Sequence, residues 1–159
     1  MESVEVWMWL IAGVILGGII FTSAFVFLTK NAYSMEVRQA DESFDSLKSA
    51  IDLACMGGQF HQDIATYVFP TMTNKVYIRD QNNIKGEGDY LCIQVASEQP
   101  RCEQFAVCTA KMQTVDMQQK TGAFYFIQKT MGRTQPTKLR FTISKAEKGK
   151  LSVTWEKTL

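Results

Sequence analysis

The chain has 159 residues, 46% of them hydrophobic, and a formal net charge of +1. All 17 Lys and Arg lie at or after Lys30, against 14 of the 16 Asp and Glu, so that part carries a small positive excess, too weak for a nucleic-acid-binding surface. About 100 residues follow the first apolar and amphipathic segments, which is one modest domain, near the size at which disulfides help.

The first element is the apolar run Val6 to Thr29, 24 residues with neither charge nor proline. As a helix it spans roughly 36 Å, enough to cross a hydrocarbon core of about 30 Å with some tilt. It is long for a signal-peptide core and has no basic flank before it, so it reads as a retained transmembrane helix. Trp7 and Trp9 suit one membrane interface, and Lys30 with Tyr33 the other. Within it Gly13 and Gly17 form a GxxxG pair, with Gly18 beside them, positions at which helices approach closely in lipid. Glycine is common in such helices for other reasons as well.

A second pattern follows without a breaker. Tyr33, Val37, Ala40, Phe44, Leu47, Ile51 and Ala54 recur at alternating spacings of four and three, which makes one helical stripe. Glu36, Arg38, Asp41, Glu42, Asp45, Lys48 and Asp52 are expected on the opposite face. The stripe reads as a helix packed on its own domain's sheet, with a coiled-coil seam as the alternative. Gly57-Gly58 is expected to end the helix.

Beyond Gly58 the period changes to two. Strands are expected at Ile64–Phe69, Val76–Ile78, Tyr90–Ala96, Gln104–Cys108 and Phe124–Gln128, with a turn over Asp80–Asp89 and no clear assignment for Met112 to Thr121. Leu139, Phe141 and Ile143, then Leu151, Val153 and Trp155, alternate with polar residues around the KAEKGK turn and form the clearest hairpin. The expected fold is α+β: a long N-terminal, partly transmembrane helix on an antiparallel sheet covered on one side. Residues 1–30 form the transmembrane or filament-core helix, 31–58 its amphipathic continuation, and 59–159 the β domain.

The cysteines, Cys55, Cys92, Cys102 and Cys108, all follow the span. Their even number in a small domain suggests bridges and an oxidising compartment. Cys92 and Cys102 flank a short link between strands, which would leave Cys55 to Cys108. Four cysteines allow three connectivities, and the sequence does not choose among them. Lys30 and Arg38 after the span, with Glu2 and Glu5 before it, favour a cytoplasmic domain by charge. The cysteines outweigh that here and place the domain outside the cytoplasm.

Little suggests catalysis. His61 is the only histidine, in a loop past the helix, and there is no CxxC, phosphate loop or nucleophile elbow. The Asp80 segment does not match calcium-loop spacing. The chain reads as non-enzymatic, without metal or cofactor.

Met1-Glu2-Ser3-Val4-Glu5, the apolar helix and its amphipathic continuation into a β-rich domain resemble type IV pilins and archaeal pilin-like proteins. The resemblance rests on about 30 positions, and Glu5 matches the family's glutamate. It implies a long helix on an antiparallel sheet, often with disulfides, and membrane-held subunits whose apolar helices later pack into a filament core. There Glu5 pairs with the N-terminal amine of a neighbouring subunit, and Glu5, Gly13, Gly17 and Gly18 serve helix packing. The span lacks the proline that bacterial pilins usually have, and the family's basic leader is not seen before Met1. The expectation is a mature form or an unprocessed anchored protein. The functional expectation is a pilin-like subunit of an extracellular, adhesive filament, with membrane lipid and further copies of itself as partners and no nucleic acid. The alternative is a bitopic protein whose extracytoplasmic β domain binds a partner or serves a membrane complex.

Overall fold

The computed structural model describes residues 2–57, 62–96, 98–105, 108–117, 136–147 and 149–158. Two compact units are present, Met1–Met35 and Glu36–Leu159. The first element is the helix α1, Glu2–Met56. It runs long because residues 2–56 contain no proline and its only glycines are Gly13, Gly17 and Gly18. It ends with the Gly57 N–H donating to the Leu53 carbonyl at 2.9 Å.

Among the described residues of the second unit nine strands follow. They are β1 Gln62–Phe69, β2 Thr73–Arg79, β3 Glu87–Gly88, β4 Tyr90–Val95, β5 Arg101–Gln104, β6 Thr109–Met112, β7 Val115–Asp116, β8 Thr137–Glu147 and β9 Lys150–Thr158. A five-stranded sheet has the order β1-β8-β9-β6-β3, and a four-stranded sheet the order β5-β4-β2-β7. Among the described strands all pairings are antiparallel except β6 with β9. Only Asp89 separates β3 from β4, so the chain changes sheets there. The crossing is tight: a Cβ on Gly88 would lie 2.0 Å from the Arg79 carbonyl oxygen, which only glycine tolerates.

The core lies where the C-terminal part of α1 meets the strands. Ala40, Phe44, Leu47, Ile51 and Ala54 are fully buried, as are Phe69, Ile78, Leu91, Phe141 and Ile143. Tyr67 and Phe69 both pack edge-on against Phe141, with ring centroids 5.8 and 6.2 Å apart. Burying each large apolar side chain contributes about 1.5–3 kcal/mol. The helix touches both sheets: Ser43 Oγ donates to the Val68 carbonyl on β1 at 2.8 Å, and Asp41 and Asp45 bind Arg101 on β5.

The α+β class and the helix stripe agree with the sequence reading, and several details differ. Two sheets replace the single expected one. Glu36, expected on the polar face, is 7% exposed, because it lies one turn before Ala40 on the packed side. Of the expected strand Gln104–Cys108, Gln104 ends β5 and Phe105 and Cys108 are buried outside the described strands, with β6 starting at Thr109; residues 106–107 lie outside the described residues. The Phe105 N–H there donates to the Asp89 carbonyl, and Cys108 is bridged to Cys55. Strand β4 stops at Val95, since Ala96 turns into the left-handed region at φ 49°. The expected Asp80–Asp89 turn contains β3. Short strands occupy Thr109–Met112 and Val115–Asp116. Gly58, His61 and the expected strand Phe124–Gln128 lie outside the described residues.

Candidate functional site

The first unit is one helix whose side chains face outward on every side. Its large apolar residues from Val4 to Leu28 are 45–75% exposed, and none of its most apolar window is buried. The helix is long and apolar enough to cross a membrane. Its hydroxyls are satisfied internally: Thr22 donates to the Gly18 carbonyl at 2.7 Å, Ser23 to Ile19 at 2.8 Å and Thr29 to Val26 at 2.9 Å. A segment that leaves water needs this, because an unpaired polar group in hydrocarbon costs several kcal/mol. Phe21 and Phe25 stack at 6.4 Å, and Trp7, Leu10, Ile11, Val14 and Ile15 line a shallow apolar groove.

Glu5 is exposed at the start of this helix. A Cβ added at Gly13, Gly17 or Gly18 would meet nothing within 4 Å. Among the described residues no contact therefore calls for glycine at these positions.

Among the described residues of the second unit, three kinds of bond stand out that fasten the helix and the strands. The first is disulfide bonding. Cys55 bridges Cys108, tying the helix end to the residue before β6, and Cys92 bridges Cys102, its register partner across β4 and β5. Among the described residues no cysteine is free.

The second device is a charge cluster centred on Arg101. Its guanidinium donates to Asp41 Oδ1 and Asp45 Oδ1, both at 2.9 Å, contacts Glu103, and lies 5.0 Å over the Phe44 ring. Burial works against the Arg101 charge, but Glu103, Asp41 and Asp45 outweigh it and hold its pKa above the ordinary value. Lys48 extends the cluster, 3.2 Å from Asp52 and 3.6 Å from Glu103. Its pKa is raised, first by the hydrogen bond to Asp52.

The third is Lys145 of β8, a buried lysine whose Nζ donates to the carbonyls of Cys55 at 2.7 Å and Gly57 at 2.6 Å. The last turn of α1 has no basic residue of its own. Lys145 supplies the cation that the negative helix end favours and satisfies carbonyls that lack intrahelical partners. The sequence reading assigned Lys145 to a turn. The one available signal was the missing base in the last helical turn, which does not say where a substitute would come from.

Among the described residues no group of His, Cys, Asp and Glu is placed to hold a metal ion. No protein-family model matches the chain, and comparisons with curated proteins and with solved structures find no significant match.

Proposed function

We propose that the chain is a pilin-like, non-enzymatic structural subunit whose apolar helices pack together in a filament core while the β domain faces outward. One observation carries this reading. The helix Glu2–Met56 combines an apolar stretch with no burial and a C-terminal stripe that forms the core of a disulfide-stapled β domain. The resemblance of the N-terminal residues to type IV pilins supports it. In this role Gly13 and Gly17 admit a neighbouring helix, and Glu5 takes a cationic partner on the next copy. That partner matters because a carboxylate deep in an apolar medium costs about 2.5–3.5 kcal/mol or more.

The second reading is a bitopic protein that stays in lipid. The internally bonded hydroxyls of Thr22, Ser23 and Thr29 suit it, since lipid offers them no other acceptor. Shearing separates the two. Material sheared from cells, pelleted and digested for mass spectrometry is expected to contain this chain in bulk, with an N-terminal peptide that includes Glu5. Recovery of the chain only in detergent extracts of membranes refutes the filament role and leaves the bitopic one.

A further inference from the structure

The two disulfides differ in their settings. Cys55, Cys92 and Cys108 are buried, whereas Cys102 is half-buried and so the most open of the four to a thiol in solution. Cys102 lies on β5, a strand of four residues that pairs only with β4 among the described strands and forms the edge of its sheet. Short edge elements open at a small part of the free energy of global unfolding.

The two ends of β5 are held differently. At its C-terminal end Gln104 Nε2 donates to Asp89 Oδ2 at 2.8 Å, and the buried Phe105 donates its N–H to the Asp89 carbonyl at 2.7 Å. At its N-terminal end Glu98, Gln99 and Pro100 are exposed. Between them Cys102 supplies the one covalent tie to β4, and its two neighbours in sequence grip the helix. Arg101 binds Asp41 and Asp45, and Glu103 lies 3.6 Å from Lys48. Their side chains are half-exposed, and ion pairs in such places hold weakly without a second fastening. The Cys55–Cys108 bridge is set apart from this segment. It joins the last turn of α1 to the residue before β6, beside the bond from Lys145 to the Cys55 carbonyl.

We propose that Cys92–Cys102 is a redox latch: a dithiol opens it ahead of Cys55–Cys108, and its opening frees residues 98–103 and their grip on α1 while the helix stays bridged to the strands. A thiolate of the dithiol attacks Cys102 Sγ, the Cys92–Cys102 bond breaks, and Cys92 leaves as a thiolate that takes up a proton. The second thiol of the reagent loses its proton and attacks the mixed disulfide. Cys102 is released and protonated, and the reagent ends as a disulfide. Two electrons pass from the dithiol to the bridge. The latch lets a reducing environment loosen one flank of a domain that stays folded, whether the apolar helix lies in lipid or among neighbouring helices.

Graded reduction of the full chain in detergent micelles with dithiothreitol tests this. Free thiols are trapped by alkylation and mapped by mass spectrometry, and amide hydrogen exchange is followed on the same samples. Cys92 and Cys102 should be alkylated together, at least about tenfold faster than Cys55 and Cys108. At that stage exchange over residues 98–104 should rise about 100-fold, the chain-entropy value for a loop of this length, with β1, β8 and β9 unchanged. C92A/C102A should show the same exchange pattern without reductant. Faster opening of Cys55–Cys108, opening of both bridges at one rate, or exchange that rises equally in β1, β8 and β9 overturns the latch. So does reduction of Cys92–Cys102 that changes exchange over residues 98–104 by less than about threefold. Should C92A/C102A fail to fold, the wild-type reduction decides.

Discussion

The two disulfides close loops of very different length, and their removal should separate accordingly. Cys55 and Cys108 are 53 residues apart, whereas Cys92 and Cys102 are 10 apart. In the chain-entropy model, cross-linking removes unfolded-state freedom that grows with the logarithm of loop length, which gives about 4 kcal/mol for the long loop and about 2.7 kcal/mol for the short one. The loss of buried sulfur adds to both, because Cys55, Cys108 and Cys92 are all buried. C55A/C108A should therefore cost more than C92A/C102A by about 1–1.5 kcal/mol. The assay is guanidinium unfolding of the full chain in detergent micelles, followed by near-ultraviolet circular dichroism, with the loss extrapolated to water using each variant's own m value, which rises as the uncrosslinked chain expands. Equal losses, or a larger loss for C92A/C102A, would refute the entropic reasoning and leave local packing as the source of stabilisation.

Other consequences follow from single positions. Lys145→Met removes two charge-assisted hydrogen bonds from the helix end, with an expected loss of about 2–3 kcal/mol in the same assay; wild-type stability would contradict the capping role. Gly88→Ala places a methyl group against the Arg79 backbone and should cost more than about 3 kcal/mol or prevent folding, visible as a cooperative transition shifted far down or absent. The pH dependence is set at the alkaline end. Lys48 is held above 10.5, first by its hydrogen bond to Asp52, and Tyr67 above 10.0, first by burial. Both folded-state pKa values exceed the unfolded ones, so their stabilisation is present below the unfolded values and is lost as pH rises through the folded ones. Stability should fall as pH rises above about 10, with Tyr67 ionising above the ordinary tyrosine range by absorbance at 295 nm; a flat stability profile there would contradict the assignment.

The helix was legible because its signal is long and redundant. A 24-residue uncharged run and a stripe at spacings of four and three leave few alternatives, and burial of Ala40, Phe44, Leu47, Ile51 and Ala54 follows that stripe. The β8–β9 hairpin was equally plain, since Leu139, Phe141 and Ile143 alternate cleanly and pair with their partners in register. The division into two sheets was not legible, because a period of two says which residues share a face and nothing of which strand is the neighbour. Phe105 and Cys108 look like strand residues by composition, yet a backbone contact to Asp89 and a disulfide to Cys55 hold them in a link. Glu36 was misplaced by its charge: helical phase, one turn before Ala40, decides its burial. Lys145 was missed because its partners, the Cys55 and Gly57 carbonyls, lie about 90 residues away in sequence. Exposure of the apolar stretch in a single chain agrees with lipid or with neighbouring helices as its medium.

Immunogold labelling of intact cells with antibody against the β domain tests the filament role most directly. Gold particles in rows along surface filaments, removed by shearing, are the predicted result. Gold confined to the cell envelope, with any filaments present left bare, would contradict it.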